Sequence, residues 1–334
     1  MNAGANEVSA EQLCLVCGGP SVSVTTAYPG YQRGRTYAIF ACNDCRYSFA
    51  EPMRSEDSVY EAIYRRPALI PGYDRYDAYV RMVLASPRPL DALAQSEEPY
   101  WALREVVSGL RPDARILDVG SGLGYATYAL SRSGYQATGL DISKNAIERA
   151  RRRFGPLYAV ADMFEWSKER AGHYDLVTML ELIEHVEDPG RWIEAAFRMV
   201  KPGGALLITT PNRDYYVDET VWETDAPPVH LWWFSARALA RLTEPLAAQF
   251  KLVDFSRCNS PYATPYSDVP IHTRRSPMLD ERGRPASRAR RVIAALGLLP
   301  VAKAVYARLH QSSEVRAHPN PGTRETLAAI LRKP

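Results

Sequence analysis

The sequence predicts an α/β fold: a doubly wound, mostly parallel sheet of about seven strands, with a small cysteine-rich unit before it and a basic, helical extension after it. Three observations carry this. Between residues 100 and 258, short apolar runs alternate with amphipathic runs of helix length, as in βαβ units. The first apolar run, Ile116–Val119, passes directly into Gly120-Ser-Gly-Leu-Gly124 and a helix start at Ala126. The next two runs each end in an acid, Asp141 and Asp162, at the strand carboxyl ends where such sheets bind ligands.

The chain has 334 residues, more than one ordinary domain, and divides into 1–54, 55–99, 100–258 and 259–334. At 46% hydrophobic and 24% charged it can bury a core. A net charge of +3 is too small to imply nucleic-acid binding by itself. The start, MNAGANEVSAEQ, has no basic stretch followed by an apolar run, and no run of about 18 apolar residues follows. The default expectation is a cytoplasmic protein without a spanning helix.

Four of the five cysteines form two C-x-x-C units, Cys14/Cys17 and Cys42/Cys45, with 24 residues between them. Such knuckles can place four thiolates tetrahedrally around Zn²⁺. Gly18 and Gly19 suit the first turn, Arg46 stands where glycine is common in the second, and Tyr37–Ala41 reads as a hairpin strand. The unit resembles a zinc ribbon, which implies a closed, structural site. The alternative is four reduced thiols or a redox pair. Residues 55–110 read as helical with proline breaks, and Tyr60, Tyr64, Tyr73, Tyr76 and Tyr79 recur at helical spacing. They are either a packing stripe or a lid. Glu98–Gly109 reads as the helix preceding the first strand.

The turn Asp118-Val-Gly-Ser-Gly-Leu-Gly124 resembles motif I of the class I S-adenosylmethionine (SAM) dependent methyltransferases, whose fold is Rossmann-like. The resemblance implies that Asp118, Gly120, Gly122 and Gly124 contact the methionine part of SAM. A carboxylate ending the second strand can accept from a ribose diol, and Asp141 has that position. Ile142 follows it toward the adenine, and Ser143 caps the helix Lys144–Phe154. In the family the acid after strand three meets the adenine amino group, which implies Asp162, with Met163 beside the ring; a plain capping role for Asp162 is the alternative.

The fourth strand, Tyr174–Leu180, runs into Glu181-Leu-Ile-Glu184-His185. This is not the [DN]-P-P-[YF] of enzymes that methylate nucleic-acid bases. It resembles the ubiquinone-pathway O-methyltransferases and the small-RNA terminal 2′-O-methyltransferases. In them such a run and a later histidine hold a divalent cation beside the acceptor hydroxyl, implying Glu181, Glu184, His185 and His230 here. A cation such as Mg²⁺, Mn²⁺ or Zn²⁺ would lower the hydroxyl pKa, and a histidine can take the proton. A metal-free base and a loop-ordering role stay open.

Arg191–Met199 reads as the next helix, and Val200-Lys-Pro-Gly-Gly204 resembles the family's turn before strand five. Asp225-Ala-Pro-Pro-Val-His230 followed by Leu-Trp-Trp-Phe resembles the acceptor loop of bacterial sugar and polysaccharide methyltransferases. Trp232 and Trp233 would stack on a sugar, or else belong to the core. Ala236–Leu246 reads as a helix and Lys251–Phe255 as a late strand. Arg274–Arg291 holds seven arginines and precedes an apolar-rich stretch to Leu309, so 274–309 reads as membrane-surface contact or as a solvated basic face. After Ser312 a loop and a short helix are expected.

The function expected is O-methylation of a hydroxyl on a small sugar-like or lipid-linked glycan acceptor, with His185, His230 and Glu184 at the chemistry. The alternatives are C- or N-methylation of a nucleotide sugar, RNA 2′-O-methylation gripped by the ribbon and arginines, and SAM binding without turnover. Acceptor identity and oligomeric state are not legible.

Overall fold

The computed structural model describes residues 12–65, 67–70, 73–215, 226–258, 277–287, 289, 292, 293, 296, 298 and 324–334. Two sheets organise them. The larger contains seven strands in the order β11-β12-β9-β8-β5-β6-β7, with helices between them in sequence. Its parallel part is β5 (Arg115–Val119), β6 (Gln136–Asp141), β7 (Tyr158–Val160), β8 (Tyr174–Leu180) and β9 (Val200–Pro211). Ile116, Leu117, Leu176, Val177, Leu206 and Leu207 are fully buried, as central strands covered on both faces require. The expected α/β architecture is present.

The smaller sheet is antiparallel: β1 (Gln12–Leu13), β2 (Pro20–Pro29), β3 (Thr36–Cys42), β4 (Tyr47–Glu51) and, from far along the chain, β10 (Trp232–Trp233). Trp232 and Trp233 are 3% and 4% exposed, so they are core side chains and not a sugar platform. Trp232 stacks with Tyr47 and Phe234.

In the chain, α1 (Asp57–Arg65), α2 (Tyr76–Ala85), α3 (Pro89–Ser96) and α4 (Glu98–Val107) separate the strands of the small sheet from those of the large one. Around the large sheet lie α5 (Tyr125–Arg132), α6 (Lys144–Phe154), α7 (Met163–Lys168), α8 (Pro189–Met199) and α9 (Ala236–Thr243). Ser143 and Ser235 accept from backbone N–H groups three residues on and start α6 and α9.

One expectation is overturned. The chain end is not an appended helical segment, because Thr326–Arg332 forms β12, inserted antiparallel between β9 and β11 (Gln249–Leu252). Leucine- and alanine-rich TLAAILR has helix-forming composition, but the open edge of β9 offers a ladder from Thr326 to Arg332 that local preference cannot match. Thr326 N–H also donates to Glu98 Oε2 at 3.0 Å, which joins the chain end to α4. The large sheet therefore does not end at 258. The segment 274–309 lies mostly outside the described residues. Among those described, no helix is long and apolar enough to cross a membrane.

Leu331 is fully buried in this inserted strand. Leu331→Ala should cost about 2–5 kcal/mol, read as a lower urea midpoint. A midpoint equal to the parent would mean that β12 contributes nothing to the sheet.

Candidate functional site

A cavity of about 870 Å³ opens at the carboxyl ends of β5, β6 and β8. Its floor begins with the glycine turn. Gly120 has φ +74°, and a Cβ there would lie 2.9 Å from Leu182. Gly124 has φ +84°, and a Cβ would meet the Tyr158 ring at 2.6 Å. Only glycine allows both the conformation and the approach. Gly124 thus serves helix–sheet packing, while Gly120 lines the cavity and Gly122 lies under the Tyr64 hydroxyl.

Asp118 departs from expectation. It is 3% exposed and points beneath the turn, accepting from Thr127 Oγ1 at 2.6 Å and Thr178 Oγ1 at 3.0 Å. Val119, the next residue, lines the cavity, and strand alternation turns Asp118 to the opposite face of the sheet. Asp118 therefore braces β5, β8 and α5 and does not line the cavity.

Asp141 does. It accepts from Gly122 N–H and Ser143 N–H, each at 2.8 Å, so turn and strand end are tied by one carboxylate. Ile142 stands 72% exposed over the cavity, a solvated apolar side chain suited to a flat ligand face. Asp162 lines the wall and also caps α7 through Glu165 N–H, so the capping role is realised. Met163 is buried beside it.

The far wall carries the E-x-x-E-H residues. Glu181 follows β8 at φ +50°, an uncommon state for a non-glycine residue, and is pinned by its N–H to Thr209 O at 3.0 Å. Glu184 is 1% exposed, and its Oε2 accepts from Thr210 Oγ1 at 2.9 Å. Its Oε1 lies 3.6 Å from His185 Nε2. The His185 and His230 rings meet edge to face at 4.6 Å. His185 Nδ1–H donates to the Val229 carbonyl, which leaves Nε2 as the lone-pair nitrogen. Burial holds His185 down at about 4, against the carbonyls of Val229 and Glu181 that raise it. Burial also pushes His230 well below its usual range, with His185 and Arg75 adding to the shift. Both imidazoles are neutral at pH 7.

Ligand atoms of Glu184, His185 and His230 all lie within 4.8 Å of one another. Glu181 is not in this group, so the expected four-residue cation set reduces to three. One carboxylate and two imidazoles suit Zn²⁺, Mn²⁺ or Fe²⁺ better than Mg²⁺, which prefers oxygen ligands. The four cysteine Sγ atoms form the second group. Cys14–Cys45 and Cys17–Cys42 are each 3.8 Å apart, the edge length of a tetrahedron with Zn–S bonds of about 2.3 Å. Cys17 and Cys45 N–H groups donate to Cys14 and Cys42 Sγ at 3.3 Å, while Gly18 and Arg46 take positive φ in the knuckle turns.

Sequence reading missed Arg75, whose Nε lies 2.7 Å from Glu97 Oε1 in the cavity wall, together with Glu325. No motif marks them; they arrive from segments distant in the chain. Tyr60 and Tyr64 do line the cavity, and the Tyr60 hydroxyl donates to Val229 O at 2.9 Å.

Comparison with known proteins agrees with this geometry. The family model described as a methyltransferase domain matches residues 93–254. The ubiquinone biosynthesis O-methyltransferase of Xanthomonas campestris pv. campestris is 36% identical over 131 residues, 38% of this chain and 53% of the relative. That of Bordetella avium is 34% identical over 113 residues, 32% of this chain and 47% of the relative. The chain thus spans about half the length of the curated relatives it matches. Among solved structures, a SAM-dependent methyltransferase from Archaeoglobus fulgidus is 17% identical with a TM-score of 0.44, covering 69% of this chain and 91% of that one.

Burial raises the Asp118 carboxyl from 3.8 to about 6, with the threonine hydroxyls opposing and Asp141 adding. An acid whose folded pKa is raised contributes stability fully below about pH 4, and that contribution is lost as pH rises through about 6. Asp118→Asn lacks this titration. The stability of the variant relative to the parent should therefore increase from pH 4 to pH 7 in urea titrations; a flat difference would refute the burial assignment.

Proposed function

We propose that the chain is a SAM-dependent methyltransferase that methylates a hydroxyl of a small, polar, sugar-like acceptor. The observation that carries this reading is the meeting, in one cavity, of the Gly120–Asp141 turn with the paired imidazoles of His185 and His230. When bound, SAM supplies a methyl on a positively charged sulfur, so an O–C bond forms as the C–S bond breaks. Asp141 would hold the ribose diol, Ile142 and Met163 the adenine, and Asp162 its amino edge. His185 Nε2, unprotonated because Nδ1 is committed to Val229, would take the acceptor proton, and His230 would orient the hydroxyl.

Nine carboxylates and three Lys or Arg side chains line the cavity among the described residues. That balance favours a cationic donor and disfavours a polyanionic acceptor such as RNA or a nucleotide sugar. The ubiquinone-pathway relatives support O-methylation more than N- or C-methylation. A second reading has its own observation: Glu184, His185 and His230 would hold a divalent cation that lowers the hydroxyl pKa, and His185 would then be a ligand and not the base. The cysteine tetrad would hold structural zinc.

Methyl-labelled SAM presented with sugars, amino sugars and RNA should label a sugar and not RNA. Asp141→Asn should weaken S-adenosylhomocysteine binding about ten-fold or more by calorimetry. His185→Ala should lower kcat about a hundred-fold or more with that binding unchanged. No heat from the parent protein with either SAM or S-adenosylhomocysteine would end the proposal. Full activity after chelation that leaves the cysteine site loaded would remove the cation.

A further inference from the structure

His230 sits between two backbone positions that are each held from outside its own segment. On one side, the Val229 carbonyl accepts from His185 Nδ1–H and from the Tyr60 hydroxyl. On the other, Leu231 N–H donates to Glu184 O at 2.8 Å, while Leu231 O accepts from Ala50 N–H at 2.9 Å. Ala50 belongs to β4. From there the chain runs as β10 alongside β4, with Trp232 opposite Phe49 and Trp233 opposite Ser48. Trp232 Nε1–H donates to Val186 O at 2.8 Å, so this short strand is strung between the cysteine-bearing sheet and the Glu184–Val186 loop. Two residues later the fully buried Ser235 hydroxyl donates to Cys45 O and accepts from Ala238 N–H at 3.0 Å, starting α9. Arg241, on α9, donates to Cys45 Sγ at 3.0 Å. Arg46 pairs with Asp214 at 3.4 Å.

We propose that the four-cysteine cluster anchors the acceptor side of the cavity: a thiolate-bound zinc ion fixes Cys45 and β4, these fix β10, and β10 fixes the imidazole of His230. Ser235 is a positioning residue in this chain of contacts. The inference rests on the methyl-transfer reading of the cavity. Its physical basis is that four thiolates with neighbours at 3.8 Å repel one another unless a cation sits among them. The donor side is built on β5 and β6 in the other sheet and makes no use of the cysteines. Loss of the ion should therefore disturb one half of the cavity and spare the other.

The test compares the zinc-loaded full chain with Cys17→Ser/Cys42→Ser, which removes the thiolate site alone, and with Ser235→Ala and Ser235→Thr. A Co²⁺-loaded sample reports four-thiolate occupancy by its sulfur-to-metal absorption. Two quantities are read: S-adenosylhomocysteine affinity by calorimetry, and the ring C–H resonances of His230, assigned by their absence in His230→Gln. The cysteine variant should keep that affinity within about two-fold while the His230 resonances shift or broaden. Ser235→Ala with zinc bound should shift them too, and Ser235→Thr, which keeps the hydroxyl, should restore them. His230 resonances unchanged in the cysteine variant overturn the inference. If that variant fails to fold, Ser235→Ala decides, and unchanged resonances there overturn it as well. Absence of heat from the zinc-loaded parent counts against the methyl-transfer reading instead and leaves the His230 comparison standing.

Discussion

The backbone after β5 has to turn within a space that admits no Cβ. Gly120 faces Leu182 on one side, and Gly124 faces Tyr158 and Ala150 on the other. Because the turn is this tight, Gly122 N–H reaches Asp141 on the neighbouring strand, and two strand ends become one rigid edge. Beneath them a single buried carboxylate, Asp118, ties β5 to Thr178 of β8 and Thr127 of α5. The cavity is the gap that this edge leaves above the sheet, and the chemistry assigned to it depends on that gap staying open.

The opposite wall is built on a different plan. No glycine turn shapes it. Glu181 is held at positive φ by β9, Glu184 is braced by Thr210, and His185 is fixed by the carbonyl of Val229, from a segment more than forty residues away. Desolvation lowers both imidazoles below their usual range, which favours the neutral form. Under the reading proposed above, the acidic lining would attract a cationic donor and at the same time oppose phosphate-rich acceptors, so that one electrostatic feature would serve both affinity and exclusion.

The small sheet changes meaning once β10 is seen. Taken as the first fifty residues, it is a separable unit on a linker. With β10 added, it shares a strand with the acceptor side, and Tyr47, Trp232 and Phe234 form one stack across the junction. The chain end behaves the same way: β12 completes the large sheet from beyond a long intervening stretch. Segments from early and late in the described chain are thus built into the two sheets.

The parallel strands, the helices between them, the glycine turn and the acids at strand ends were readable from residues alone. Each depends on contacts within a few positions or on a period of apolar residues, and those are properties of a local string. The two C-x-x-C pairs were readable for the same reason. What the string could not reveal was decided by partners distant in sequence. Asp118 turned inward because two threonines from other elements satisfied it; the tryptophans became core because β4 offered them an edge; TLAAILR became a strand because β9 had an unpaired ladder. Arg75 and Glu97 meet in the cavity without any motif. Hydrogen-bond satisfaction at an open sheet edge or in a buried pocket is a property of the assembled chain, so only the tertiary structure could settle it.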